Sequence, residues 1–154
     1  MQIVYYSLNG TTEKVARQLA AFLDLPLYRI EDVSSRKGFF KFIYSGFEAR
    51  SKRKPKIRPI EDFTPDSDHI VLLSPVWAGN MASPVRTFCT QYTGRTDSIS
   101  LILTHQDTKN AYEFVHGEIA ELLAAKPSVF GSFCDKQIQS EDVLAIGKRL
   151  KDKG

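Results

Sequence analysis

The sequence predicts an α/β fold, a single domain over 1–154 built on a five-stranded parallel sheet with helices on both faces. Strand-like and helix-like stretches alternate five times along the 154 residues, the mark of repeated βαβ units joined by right-handed crossovers. The run HIVLLSPV at 69–76 is Ile, Val and Leu without polar alternation, as in a strand buried on both faces. The length suits one domain with a sizeable core.

The elements follow in order. QIVYY (2–6) reads as the first strand. Residues 11–23 read as a helix because Val15, Ala16, Leu19, Phe22 and Leu23 recur at helical spacing. PLYRI (26–30) is the second strand, and FFKFIYSGFEA (39–49) is aromatic and compatible with a helix. After the strand at 69–76, residues 84–93 suit a helix with Pro84 in its first turn. SISLILT (98–104) is the fourth strand, 111–125 a helix, SVFGSF (128–133) the fifth strand and 140–152 the closing helix. No internal repeat or low-complexity tract interrupts the series. Residues 50–68, rich in Lys, Pro and Asp, read as a surface excursion within the domain.

Composition excludes several classes. Apolar residues at 42% and charged residues at 25% are ordinary for a globular protein. MQIVYYS has no basic n-region followed by an apolar h-region, so no signal peptide is expected. No apolar run approaches the roughly 20 residues of a membrane helix, and a cytoplasmic protein is expected. Cys89 and Cys134 lie far apart without metal-like spacing and read as buried thiols in a reducing compartment. No metal site is predicted.

Charge is unevenly spread. Residues 36–58 hold nine Lys/Arg against one acid, Glu48, a net +8 that leaves −5 on the rest of a chain whose total is +3. In that segment Phe39, Phe40, Phe42, Tyr44 and Phe47 interleave with the cations. One reading is an amphipathic helix with its aromatics inward and a solvated basic rim. A second is a docking surface for an acidic redox partner or a phosphorylated nicotinamide, since a basic patch steers anions. Nucleic acid or a membrane surface is the least favoured reading, because the other signals place a small-molecule site elsewhere.

Those signals begin at SLNGTT (7–12), which links the first strand to the first helix. In open α/β sheets ligands bind at the carboxyl ends of strands, and a helix start offers unpaired N–H groups and partial positive charge. Gly10 permits close approach, while Ser7, Asn9, Thr11 and Thr12 supply short polar side chains. Such a loop suits a phosphate held without Lys or Arg. The lone glycine matches neither a Walker A nor a G-x-G-x-x-G motif. The loop alone equally fits a capped helix start.

The stretch IVYYSLNGTTEKVARQL (3–19) resembles the flavodoxin signature, with Ile3, Val4, Tyr5, Ser7, Gly10, Thr12, Ala16 and Leu19 at its positions. The resemblance implies a short-chain, three-layer flavodoxin-like sandwich of strand order 2-1-3-4-5. It also implies bound FMN, with the phosphate on Ser7, Asn9, Gly10, Thr11 and Thr12.

SPVWAGNMASP (74–84) resembles the P-x-W-x-G loop of such proteins and holds the only tryptophan. Trp77, read as lying in a loop just past a strand end, would stack on the flavin; the alternative is a core indole. Pro75, Val76, Ala78, Gly79 and Asn80 would complete this wall. The resemblance further implies that a flipped peptide at Gly79 offers a carbonyl to N5–H of the reduced flavin.

After the fourth strand, THQDTKN (104–110) would meet the pyrimidine end of the ring through Thr104, His105 and Gln106. It lacks the aromatic and the glycines usual in this loop of flavodoxins. Either the outer ring face is open, or Tyr112, His105 or the 39–47 aromatics cover it. His105 reads as a structural histidine, with a general-acid role as the alternative. His69 and His116 are given no role, and no catalytic residue is assigned.

Three functions are compatible with these residues. The first is an FMN-binding electron carrier between a reductase and an acceptor. The second is an FMN-dependent NAD(P)H oxidoreductase of quinone-reductase type. The third is a flavin-free module that docks an anionic partner through 36–58.

Overall fold

Period-two alternation in the strands assigns each apolar side chain to one of two cores. In β1 (Gln2–Tyr5) Val4 faces one side of the sheet while Ile3 and Tyr5 face the other. The same split runs through β3 (Ser67–Trp77), where Ile70 and Leu72 join Val4, and Val71 and Leu73 join Ile3. The computed structural model describes residues 1–33, 45, 47–64 and 67–153.

The remaining elements are α1 (Thr11–Leu23), β2 (Leu27–Arg29), β4 (Asn80–Met81), α2 (Ser83–Gln91), β5 (Thr96–His105), α3 (Phe114–Leu123), β6 (Lys126–Cys134) and α4 (Ser140–Lys151). The main sheet runs β2-β1-β3-β5-β6, all parallel. Counting only those five strands, this is the expected order 2-1-3-4-5. Helices α1 and α4 cover one face through Val15, Ala16, Leu19, Val143, Ile146 and Leu150. Helices α2 and α3 cover the other through Val85, Phe88, Cys89, Val115 and Ile119. Burying a side chain such as Phe88, fully enclosed, contributes about 1.5–3 kcal/mol.

Local chemistry explains several boundaries. Helix α2 starts with Pro84 in its first turn, where a missing N–H costs nothing. The β5–β6 register slips between Ile99 and Leu101, next to Pro127. Ser100 Oγ accepts the stranded Val129 N–H at 3.0 Å and meets His69 Nε2 at 2.8 Å. His116 stacks on Phe130 and reaches Ile99 O. Burial lowers the pKa of both histidines, so both serve the core as neutral rings. Cys89 and Cys134 are free and buried, and burial pushes the Cys89 thiol well up.

Two expectations are corrected. Trp77 is the last residue of β3, not a loop residue. The chain turns back at Ala78-Gly79 and pairs Trp77 with Asn80 and Val76 with Met81. Both turn residues have positive φ, 46° and 78°, the backbone of a type I′ hairpin whose twist matches the strands. Tyr112 lies outside the helix predicted over 111–125, since α3 begins at Phe114 and Tyr112 has φ 57°. Asn110 Oδ1 holds the Tyr112 N–H at 2.8 Å and so favours a turn over another helical residue.

The helix expected over 39–49 falls largely outside the described residues, although 47–50 are helical. The chain beyond Arg50 forms a fixed rim. Val33 N–H bonds Lys56 O, Arg58 N–H bonds Glu31 O, and Thr87 Oγ1 donates to Pro55 O. Among the described residues no helix is long and apolar enough to cross a membrane, and no cluster of His, Cys, Asp or Glu could hold a metal ion.

Candidate functional site

Parallel strands bring their carboxyl ends to one edge of the sheet, and here the ends of β1, β3, β5 and β6 enclose a cavity of about 510 Å³. That volume lies within the usual range for small-molecule sites. Its walls combine three chain segments: the loop after β1, the β3–β4 hairpin, and the paired ends of β5 and β6.

The first segment is the predicted phosphate loop. Leu8 and Asn9 reach the cavity, while Ser7, Gly10, Thr11 and Thr12 gather at the start of α1 beside it. Gly10 takes the N-cap in a left-handed conformation, φ 93°, and makes no side-chain cap bond of its own. The N-cap position itself is thus a glycine and not a Ser, Thr or Asn. Ser7 Oγ instead accepts the Gly10 N–H at 3.0 Å, and Asn9 Oδ1 faces the Thr11 N–H at 3.5 Å. The buried Thr12 hydroxyl lies 2.8 Å from that of Thr104, tying the loop to the end of β5. The first helical turn carries one acid, Glu13, which Arg17 at 2.7 Å and Arg29 at 3.6 Å neutralise.

The second segment is the hairpin. Pro75, Val76, Trp77, Ala78 and Gly79 line the cavity, and Asn80 stands behind, its Nδ2 donating to Ala78 O at 3.0 Å. Trp77 is only 7% exposed. Its indole meets the Tyr6 ring edge-on at 5.4 Å, and Tyr6 donates to Asp32 Oδ2 at 2.7 Å. It is thus both a core residue and a rigid wall, two roles that a strand end combines.

The third segment contains Thr104, His105 and Gln106, together with Asp107, Tyr112 and Asp135, which sequence reading did not place in the site or left as an open option. Tyr112 packs edge-on against His105 at 5.2 Å, and its hydroxyl donates to Asp107 Oδ2 at 3.3 Å. A Cβ built on Gly79 would lie 4.0 Å from the Tyr112 ring. Tyr112 therefore spans from the hairpin to β5, and it is the aromatic at the mouth among the described residues. Burial, with Asp107 beside it, raises the Tyr112 pKa. Burial likewise raises that of Asp135, partly offset by His105. Nothing local marks Asp135 in the sequence; its place follows from the pairing of β5 with β6.

None of the described residues of the basic rim lines the cavity. Lys52 is 3.0 Å from Glu118, which also receives the buried Arg86 at 2.9 Å. Burial favours the neutral Glu118 acid, but the two cations outweigh it and hold the pKa below the ordinary value. Arg53 lies over the exposed Phe47 ring at 5.5 Å, and Lys54 and Lys56 are exposed.

A doubly wound parallel sheet with a cleft at a crest of strand ends is an open α/β architecture, and such crests are where ligands of this class of fold bind. No protein-family profile matches the sequence, and no curated protein matches it either. Solved structures do. A flavoprotein from Lactobacillus acidophilus NCFM, crystallised in complex with FMN, superposes with a TM-score of 0.70 at 19% identity, over 84% of this chain and 90% of that one. A flavodoxin from Streptococcus pneumonia TIGR4 gives 0.58 at 15% identity, over 99% and 98%. A flavodoxin, WrbA-like protein from Agrobacterium tumefaciens gives 0.58 at 14% identity, over 98% and 94%. The fold is flavodoxin-like along nearly the whole chain.

Proposed function

We propose that the chain binds FMN in this cleft and passes electrons between a reductase and an acceptor. The observation that carries the reading is the junction of a Gly10-led helix start, lined by short polar side chains, with a cavity of small-molecule size that Trp77 and Tyr112 line. The FMN complex of a structural neighbour supports the same ligand. Bound FMN would supply the redox chemistry.

The chain's own residues would do the rest. The α1 amino end, with Ser7, Asn9, Thr11 and Thr12, would hold the phosphate dianion without a cation. Trp77 would present a fixed platform on one side, and Tyr112 would narrow the outer mouth and exclude water. Buried orphan polar atoms fit a polar heterocycle at the far end: His105 Nδ1 and Asp135 Oδ1 have no hydrogen-bond partner among the described residues.

A second reading, an FMN-dependent NAD(P)H oxidoreductase, is favoured by the exposed cations of the rim, where Lys54 and Lys56 offer charge to an anion. In the carrier reading the same rim docks an acidic redox protein. The visible spectrum of the purified protein, before and after NADPH, separates them. Bleaching by NADPH alone makes it an enzyme. Flavin that is reduced only after a reductase is added makes it a carrier. Colourless protein that takes up no FMN overturns both.

A further inference from the structure

We propose that His105 Nδ1 and Asp135 Oδ1 form an acceptor edge that selects a ligand ring by its imide N–H. This inference rests on the FMN reading and adds a specificity-determining pair to it.

Strands β5 and β6 end in register, with His105 opposite Cys134, and Asp135 N–H bonds His105 O at 2.7 Å. His105, at the end of β5, and Asp135, just past the end of β6, therefore line the same cavity. The imidazole tautomer follows from its partners. The Ser132 hydroxyl donates its only proton to Ala111 O at 2.7 Å. His105 Nε2, 2.8 Å from the same oxygen, must then be the donor. In the neutral ring Nδ1 is left as a bare acceptor.

His105 is 8% exposed, and its Nδ1 has no partner among the described residues. Asp135 Oδ1 is likewise buried and unpartnered. Two orphan acceptors in one corner are costly unless something donates to them. The other cavity walls are largely apolar, from Leu8, Pro75, Val76 and Trp77. The matching ligand is a flat heterocycle with an apolar body and an N–H donor on one edge. The distance also fits a mononucleotide anchored at β1. Strands β1 and β6 are three spacings apart across β3 and β5, about 14 Å. The ring imide N–H of FMN lies at the end of the molecule remote from the phosphate.

The test titrates wild type with FMN and with N3-methyl-FMN, following flavin fluorescence. FMN should bind tighter by on the order of 10- to 100-fold. The ratio should fall towards one in Asp135→Ala and in His105→Leu. A histidine 15N spectrum supplies a readout that a steric effect of the methyl group would not move: the His105 Nδ1 resonance should shift on adding FMN and stay put with N3-methyl-FMN. Should His105→Leu fail to fold, Asp135→Ala and the spectrum decide. Equal affinity for the two flavins in wild type, or a ratio unchanged in Asp135→Ala, overturns the pair and leaves the FMN reading standing. No binding of either flavin overturns both.

Discussion

The two ends of the cleft are built in opposite ways. At the β1 end, short polar side chains satisfy one another and their own backbone: Ser7 with Gly10, Asn9 with Thr11, Thr12 with Thr104. At the β5–β6 end, two acceptors are buried with nothing among the described residues donating to them. The first end is prepared by local hydrogen bonds and a helix start. The second is completed only by whatever enters. Anchoring and selection are thus divided between a loop contiguous in sequence and a corner assembled from strands far apart.

The contrast is most strongly tested by removing the phosphate. Riboflavin should bind more weakly than FMN by on the order of 3–5 kcal/mol, since it gives up at least two charge-assisted hydrogen bonds. Isothermal titration of both flavins measures this, and equal affinity would break the anchoring role of the loop.

Next in size is Thr12→Ala, which orphans the buried Thr104 hydroxyl. A loss of about 1–3 kcal/mol is expected, in stability by urea melts and again in FMN affinity. A change in affinity with stability intact would show that the Thr12 hydroxyl turns from Thr104 to the ligand.

Ala78→Gly sharpens the middle wall. A non-glycine residue at φ 46° carries about 1–2 kcal/mol of strain. The extra unfolded-state freedom of glycine offsets up to about 1 kcal/mol of that. Urea melts should show a gain of about 1 kcal/mol or less, and a clear loss would mean that the Ala78 methyl packs against the cleft.

The smallest effect, and the one specific to the unsatisfied corner, is pH-dependent. Burial raises the Asp135 pKa above its ordinary value of 3.8. The folded state therefore binds its proton more readily than the unfolded chain does. Its contribution is full below pH 3.8 and is lost as pH rises through the folded pKa. Asp135→Asn should match wild type near pH 3.5 and be the more stable of the two near pH 7, in ligand-free melts. The reverse ordering would show the carboxylate to be stabilised by its surroundings.

Legibility in the sequence followed locality. Val15, Ala16 and Leu19 mark the buried face of α1 through spacing alone, and the Ile/Val/Leu runs of β3 and β5 mark central strands. SLNGTT marks a loop because its residue types act on the adjacent backbone. By contrast, Trp77 was expected in a loop because Gly79 and Asn80 follow it, yet Ala78 adopts a left-handed turn that lets the strand run on and fold back. Tyr112 was expected in a helix by periodicity, and the Asn110 side chain competes successfully for its N–H. Asp135 carried no signal, because only pairing with β5 makes it a cavity residue.

By itself, then, the sequence determined the alternation of strands and helices, the two-sided burial of the sheet and the polar helix start. Each depends on interactions within a few residues, or on a hydrophobic period that any tertiary arrangement must respect. Tertiary structure alone decided which strand ends meet. It made Trp77 a braced wall, set Tyr112 across the mouth, and left His105 Nδ1 and Asp135 Oδ1 without donors among the described residues. Those outcomes depend on the register of β5 against β6 and on the crossing of chain segments distant in sequence.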